Sequence, residues 1–140
     1  MGTWNDFLGW AWRSAPGRAA VEAWRGAHRL LALTDAKSEA IGTLLARHRD
    51  SRTLVFTATK EAAYRVAREH LVMPITADVR SAERDAALAA FRAGRIRALV
   101  SARVLNEGFD VPDADVGIVA GGTLGEREHV QRIGRLLRPT

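Results

Sequence analysis

The sequence has no cysteine, only two lysines, and no apolar run long enough to cross a bilayer. The absence of cysteine excludes disulfides and thiolate metal sites. The four histidines form no H-x-x-x-H pair and have no acidic cluster at ligand spacing, so we expect no bound metal. No basic segment followed by an apolar one comes after Met1, which argues against a secretory leader. We therefore expect a cytoplasmic protein with no membrane partner.

The composition predicts one hydrophobic core and a positively charged surface. A chain of 140 residues with 47% hydrophobic content buries roughly two-thirds of its unfolded surface, which is enough for one domain. The net charge is +5, and 19 of the 21 basic residues are arginine, because lysine occurs only at positions 37 and 60. A phosphate-bearing partner would suit such a surface. An arginine-biased composition in an ordinary soluble protein explains the same balance.

Short apolar runs alternate with helical patterns from residue 18 onward. Such strands indicate an α/β fold in which a mainly parallel sheet is covered by helices on both faces. The loops that follow the strands should then share one edge of the sheet, where ligands bind in folds of this kind. Residues 1–17, which include three tryptophans, are predicted to be an irregular or partly helical lead-in or linker. The predicted strands are 52–57, 72–76, 98–101 and 116–120, the helices 18–33, 35–48 after a cap at Thr34 or Asp35, about 60–70 after a cap at Thr59, and 81–93, and the loops 57–59, 76–80, 101–110 and 121–125.

A final helix carries Gln131, Arg135 and Arg138 at spacings of four and three, which place them on one helical face. Arginine keeps its charge and offers a planar fork of donors that suits phosphate oxygens. Two arginines one turn apart could therefore stabilise the charge that develops during phosphoryl transfer. A solvated arginine-rich helix that ends at Pro139 is the alternative interpretation.

Three segments, taken in order, resemble motifs IV, V and VI of superfamily 2 helicases. They are LVFTAT at 54–59, the run from Ile75 through AERDAALAAFRAG to RIRALVSARVLNEGFDVPDADVGIV, and GGTLGEREHVQRIGRLLRP. Within the superfamily the sequence is most similar to XPB-type DNA helicases. The resemblance covers residues 18–140 and implies the second of two RecA-like lobes, so the fold would be a three-layer RecA-like domain. The chain stops directly after motif VI, which we interpret as the end of a fragment of a longer protein.

The resemblance also implies cofactors and partners. ATP with Mg²⁺ would lie between two lobes and be bound mainly by the missing first lobe of the same full-length protein. DNA, as a single strand or a duplex junction, would run across both lobes. A complete ATPase needs a phosphate-cradling loop that ends in Gly-Lys-Ser/Thr, whereas the turn at 121–125 is followed by Glu126. We therefore expect the isolated chain to be inactive towards ATP.

Individual site residues are assigned by matching positions in those motifs. Arg135 and Arg138 would contact the γ-phosphate from across the cleft as arginine fingers, with Gln131 nearby. Gly108 and Asp110 match the G-x-D of motif V, where the aspartate binds the ribose hydroxyls or couples the two sites. A turn cap before Pro112 is the alternative role for Asp110. The predicted nucleic-acid contacts are Thr57, Thr59, Lys60, Ser101 and Arg103.

Thr59 has a physical reason to be in that set. It would open a helix whose first backbone N–H groups can bind a phosphate, and a simple helix cap is compatible with this role. Two positions depart from the pattern of the relatives. Ala102 stands where XPB-type proteins usually have serine, so Ser101 would have to supply that hydroxyl, and Ala77 replaces a usual glycine.

The function predicted from this resemblance is the second motor lobe of an ATP-dependent DNA helicase or translocase. Movement in the three-prime to five-prime direction is implied by the family alone. Two alternatives remain open at this point. One is a non-enzymatic RecA-like module that binds nucleic acid or protein, and the other is the motor lobe of a restriction or DNA-repair nuclease.

Overall fold

A computed structural model of the protein describes residues 2–102 and 114–121. The chain divides into two compact units, residues 1–31 and 32–140. The predicted boundary between residues 17 and 18 falls inside a continuous helix, whereas the units divide after Leu31. No helix among the described residues is both long enough and apolar enough to span a membrane.

The first unit contains helix α1 (Trp4–Ala11) and most of helix α2 (Ala15–Ala32). Thr3 begins α1 through a capping box, because its hydroxyl accepts a hydrogen bond from the Asp6 backbone N–H while the Asp6 carboxylate accepts one from the Thr3 N–H. The lead-in expected to be irregular or partly helical is thus helical from Trp4 to Ala11. Its aromatic rings lie largely on the surface, and Trp10 keeps 67% of its area exposed.

The second unit is built on a four-stranded parallel sheet in the order β2 (Met73–Ile75), β3 (Ala98–Ala102), β1 (Thr53–Thr57) and β4 (Val116–Val119). The α/β prediction with a mainly parallel sheet is confirmed. Each predicted strand is present, although most are shorter than expected, because the sequence cannot mark where backbone pairing stops. The elements are α3 (Asp35–Arg47), β1 (Thr53–Thr57), α4 (Lys60–His70), β2 (Met73–Ile75), α5 (Ser81–Arg92), β3 (Ala98–Ala102) and β4 (Val116–Val119).

Helices cover both faces of this sheet, so the described part of the second unit forms three layers. On one face, Val55 and Val100 pack with Ile41 of α3 and Val66 of α4. The other face packs Leu54, Phe56 and Leu99 against Leu88 and Phe91 of α5. The strands are therefore apolar on both sides, and residues 53–57 of β1 are all buried. Gly94, at φ +74°, ends the last of these helices as the sequence predicts.

Hydrogen bonds between polar side chains join α3 to α4. The Ser38 hydroxyl, which is 4% exposed, lies 3.0 Å from Nε2 of His70 and also donates to the Glu69 carboxylate. Hydrogen bonds from Ser38 and then from Arg65 hold the pKa of Glu69 below its ordinary value. Arg65 extends the network to the carbonyl of Leu33 at 3.0 Å. His70 therefore has a structural role here.

An ion pair joins the beginnings of β1 and β4 at the amino edge of the sheet. The Arg52 backbone N–H donates to Oδ2 of Asp115 at 2.9 Å, and its guanidinium Nη2 lies 3.3 Å from Oδ1. These hydrogen bonds lower the pKa of Asp115. The pair lies at the end of the sheet opposite to the loops considered next.

Candidate nucleic-acid interface

The carboxyl ends of the four strands meet at one edge of the sheet, which we call the carboxyl edge. Thr57 at the end of β1 pairs with Ala102 at the end of β3, and Ile75 at the end of β2 pairs with Ser101. Because all pairings are parallel, the segments that follow these strands must leave the sheet on the same side. The described parts of the predicted loops therefore lie together, as the sequence predicts.

Helix α4 begins at the carboxyl edge with Thr59 as its N-cap. The Thr59 hydroxyl accepts a hydrogen bond from the Ala62 N–H at 3.1 Å, and the Thr59 carbonyl accepts one from the Ala63 N–H, also at 3.1 Å. The cap predicted from the sequence is confirmed. The N–H groups of Lys60 and Glu61 belong to the first turn and have no acceptor within the helix. They combine with the positive end of the helix dipole to favour an anion.

A shallow cavity of about 380 Å³ opens beside this helix start. Half of its lining residues are alanines, and the other half lie at the start of α4. Both departures from the pattern of the relatives, Ala77 and Ala102, line this cavity, and their small size leaves it open. The lining residues are Ala58, Thr59, Lys60, Glu61, Ala77 and Ala102.

Two of the predicted contact residues, Thr57 and Ser101, are buried instead of facing this cavity. They are 1% and 2% exposed. The Thr57 hydroxyl lies 2.9 Å from the carbonyl of Thr59 and 3.3 Å from that of Ser101, and it donates to these backbone oxygens. In this conformation neither side chain is offered to a nucleic acid. Thr57 instead fixes the turn that presents Thr59.

Charged side chains complete the carboxyl edge. Nζ of Lys60 lies 3.2 and 3.3 Å from the two carboxylate oxygens of Asp78, which follows β2. Lys37, in the first turn of α3, reaches the end of β4, where a Cβ atom on Gly121 would stand 3.8 Å from its Nζ. Both lysines of the chain thus lie at this edge. Sequence reasoning missed Asp78 and Lys37, although the position of Asp78 just beyond a strand was a usable signal.

The remaining predicted site residues lie outside the described residues. They are Arg103, Gly108, Asp110, Gln131, Arg135 and Arg138. Within residues 2–102 and 114–121, no three histidine, aspartate or glutamate side chains are grouped so that they could hold a metal ion.

Comparison with known proteins agrees with this geometry. The helicase conserved C-terminal domain family matches residues 36–140. The chain belongs to this family. This helicase C-terminal domain is 35% identical over 121 residues to the DNA 3'-5' translocase XPB2 of Sulfurisphaera tokodaii, a match that covers 86% of the chain and 28% of that protein. It is 35% identical over 113 residues to the DNA 3'-5' helicase XPB of Mycobacterium tuberculosis, which covers 80% and 21%.

The chain therefore spans about a quarter of the length of these relatives. Solved structures agree on the fold. The C-terminal domain of the DEAD-box protein Dbp5 superposes with a TM-score of 0.64 at 24% identity, over 77% of this chain and 66% of that one. A variant of S. cerevisiae Dbp5 bound to RNA and ADP BeF3 gives a TM-score of 0.60 at 25% identity, over 71% and 28%. The resemblance to superfamily 2 and XPB-type helicases is confirmed.

Proposed function

We propose that the chain is the second motor lobe of an ATP-dependent DNA helicase or translocase. The observation that carries this proposal is the family match over residues 36–140, together with 35% identity to relatives named as DNA 3'-5' translocase and helicase. The fold adds a parallel sheet whose carboxyl edge presents a helix N-terminus and two lysines. The second compact unit, residues 32–140, would form the lobe, and the protein would act in the cytoplasm.

ATP would be shared with a first RecA-like lobe of the same full-length protein. Hydrolysis of bound ATP would supply the free energy for movement along the nucleic acid. Arg135 and Arg138 would donate to the γ-phosphate oxygens, with Gln131 beside them, while Gly108 and Asp110 would face the ribose. The chain fits only one side of such a site, because residues 121–125 are followed in the sequence by Glu126, where a phosphate loop needs lysine. The other phosphate contacts and the Mg²⁺ ligands would come from the first lobe.

The nucleic-acid track would pass over the carboxyl edge at the start of α4. A backbone phosphate would accept hydrogen bonds from the N–H groups of Lys60 and Glu61, and the ammonium of Lys60 would add its charge. Thr59 would hold this helix start in place. Arg103 would extend the positive track beyond the described residues. Thr57 and Ser101 would contribute without touching the nucleic acid, because the hydrogen bonds of Thr57 to the carbonyls of Thr59 and Ser101 hold the backbone of this edge in place.

The relatives include RNA helicases as well as DNA helicases, which favours one alternative in particular. The ATP-dependent RNA helicase DBP5 of Eremothecium gossypii is 32% identical over 94 residues, covering 59% of this chain. RNA is therefore the second candidate polymer. We favour DNA because the matches to DNA helicases cover more of the chain, up to 91%.

The test is polymer-stimulated ATPase of the full-length protein. We expect single-stranded DNA to raise ATP turnover more than RNA of the same length, and we expect the 140-residue chain alone to show no turnover. Stronger stimulation by RNA would move the proposal to an RNA motor. Absence of ATP turnover with every polymer would favour a non-enzymatic binding module. DNA cleavage by the same preparation would favour the motor lobe of a nuclease.

A further inference from the structure

We propose that Asp78 is an internal counter-ion at the phosphate site of Lys60, which a nucleic-acid phosphate must displace. The inference rests on the proposed nucleic-acid interface and adds to it a residue that limits affinity. Asp78 lies in the connection between β2 and α5. Both of its carboxylate oxygens are within 3.3 Å of Nζ of Lys60, the first residue of α4. A carboxylate so placed occupies the position that a phosphate would need.

The connection that carries Asp78 is fixed to the same helix that carries Lys60. The Val79 N–H donates to the carbonyl of Thr76 at 3.1 Å and closes a turn around Asp78. The Thr76 hydroxyl lies 2.7 Å from the hydroxyl of Tyr64, which is on α4. Asp78 is therefore held opposite Lys60 by the fold, and the pair does not depend on a chance meeting of two flexible side chains.

The pair is also weak enough to be displaced. The two side chains are 50% and 57% exposed. Exposed ion pairs contribute about 0 to 1 kcal/mol, because water and salt screen the attraction. Ala77 and Ala102 leave the cavity open beside the pair, so a phosphate can approach without moving a large side chain.

Displacement changes what Lys60 contributes to binding. An isolated anion gains one ion pair at Lys60 while breaking another, and the freed carboxylate of Asp78 then opposes it. A polynucleotide overcomes this opposition through contacts at neighbouring phosphates. Asp78 should therefore disfavour small anions relative to a polynucleotide, and it should reduce the salt dependence of binding, because a neutralised lysine does not neutralise a phosphate.

A double-mutant cycle on the 140-residue chain tests the inference. The probe is a fluorescein-labelled oligothymidylate, and affinity is measured by fluorescence anisotropy at about 50 to 200 mM salt. The variants are Asp78→Asn, Lys60→Ala and the double substitution. Asp85→Asn is the matched control, because it changes the net charge equally at an exposed position on α5 outside the cavity. Thermal unfolding of each variant verifies that it is folded.

We expect Asp78→Asn to bind about two- to five-fold tighter than Asp85→Asn. The slope of log affinity against log salt should steepen by about 0.7, the value for one more phosphate neutralised on a single strand. Both effects should vanish when Lys60 is alanine. Equal affinities for Asp78→Asn and Asp85→Asn, or a gain that persists when Lys60 is alanine, would overturn the inference, although binding of the oligothymidylate itself would still support the interface. Failure of the unsubstituted chain and of every variant to bind the oligothymidylate would instead overturn the interface itself.

Discussion

Thr59 is the residue on which the proposed interface depends for its shape. Its hydroxyl caps α4, and N-cap threonines contribute about 1 kcal/mol. We expect Thr59→Ala to lower the free energy of unfolding by about that amount in urea titrations, and Thr59→Ser to restore it. Thr34→Ala is the matched control, since Thr34 caps α3 in the same way at the Lys37 N–H.

The control separates stability from binding. Both alanine variants should lose similar stability, but only Thr59→Ala should also weaken binding to oligothymidylate, because only α4 presents its first turn to the cavity. Equal loss of binding in both variants would show that Thr59 has no particular role in the interface.

Ionisation of Asp115 should make the free energy of unfolding of the second unit depend on pH. Its folded-state pKa is lowered by Arg52, so its carboxylate adds stability above about pH 4, the unfolded value, and that stability is lost as pH falls further. We expect Asp115→Asn to lower the free energy of unfolding at neutral pH by about 1 kcal/mol. The difference from the unsubstituted chain should shrink as the pH falls below about 4.

Urea unfolding at several pH values measures this effect. Asp50→Asn serves as the control, because Asp50 and Arg49 are 3.9 Å apart with side chains 95% and 82% exposed, and such a pair should add almost nothing. A pH-independent loss in Asp115→Asn would mean that ionisation of Asp115 is not the source of its effect.

Local chemistry decided which residues the sequence could predict. The caps at Thr34 and Thr59 were predictable because each hydroxyl bonds to a backbone N–H three residues later. The burial of Thr57 and Ser101 was not anticipated from the sequence, although a sheet covered on both faces leaves no exposed side for a hydroxyl in a strand. Asp78 and Lys37 were missed because their positions depend on the way separate loops and helices meet.

At the scale of elements, the contact between α3 and α4 depends on Gly42. A Cβ atom there would lie 2.8 Å from Cε1 of His70, so the histidine ring packs directly on the glycine. Replacing a helical glycine by alanine otherwise gains about 1 kcal/mol. We expect Gly42→Ala to gain that amount when His70 is also alanine, and to gain nothing or lose stability when His70 is present.

Urea unfolding of the two single variants and the double variant measures this coupling. The same stability change for Gly42→Ala in both backgrounds would contradict the packing described here. A gain in the free energy of unfolding from Gly42→Ala that appears only together with His70→Ala would confirm that the imidazole ring occupies the space that a side chain at position 42 would need.

The sheet shows how far element-level reasoning extends. Four strands, their parallel sense and the shared carboxyl edge followed from short apolar runs alternating with helical patterns. The order β2-β3-β1-β4 did not, because many parallel orders bury the same residues equally well. The register of Thr57 with Ala102 likewise depends on packing between distant segments.

At the scale of the whole molecule, we propose that the chain is one of the two lobes of a nucleic-acid motor. It should bind nucleic acid weakly and with strong salt dependence when isolated, since only part of the track is present. Catalysis should require residues from both lobes. The central claim is therefore that the arginines of motif VI act on ATP held largely by the other lobe.

DNA-stimulated ATP turnover by full-length protein carrying Arg135→Ala tests that claim most directly. An arginine finger accounts for about 10³ to 10⁵ in rate, so we expect turnover to fall by at least about 10³. Arg135→Lys should restore little, because lysine lacks the planar fork, and Arg68→Ala, an exposed charge at the far end of α4, should leave turnover unchanged. Turnover by Arg135→Ala equal to that of the Arg68→Ala control would contradict the account.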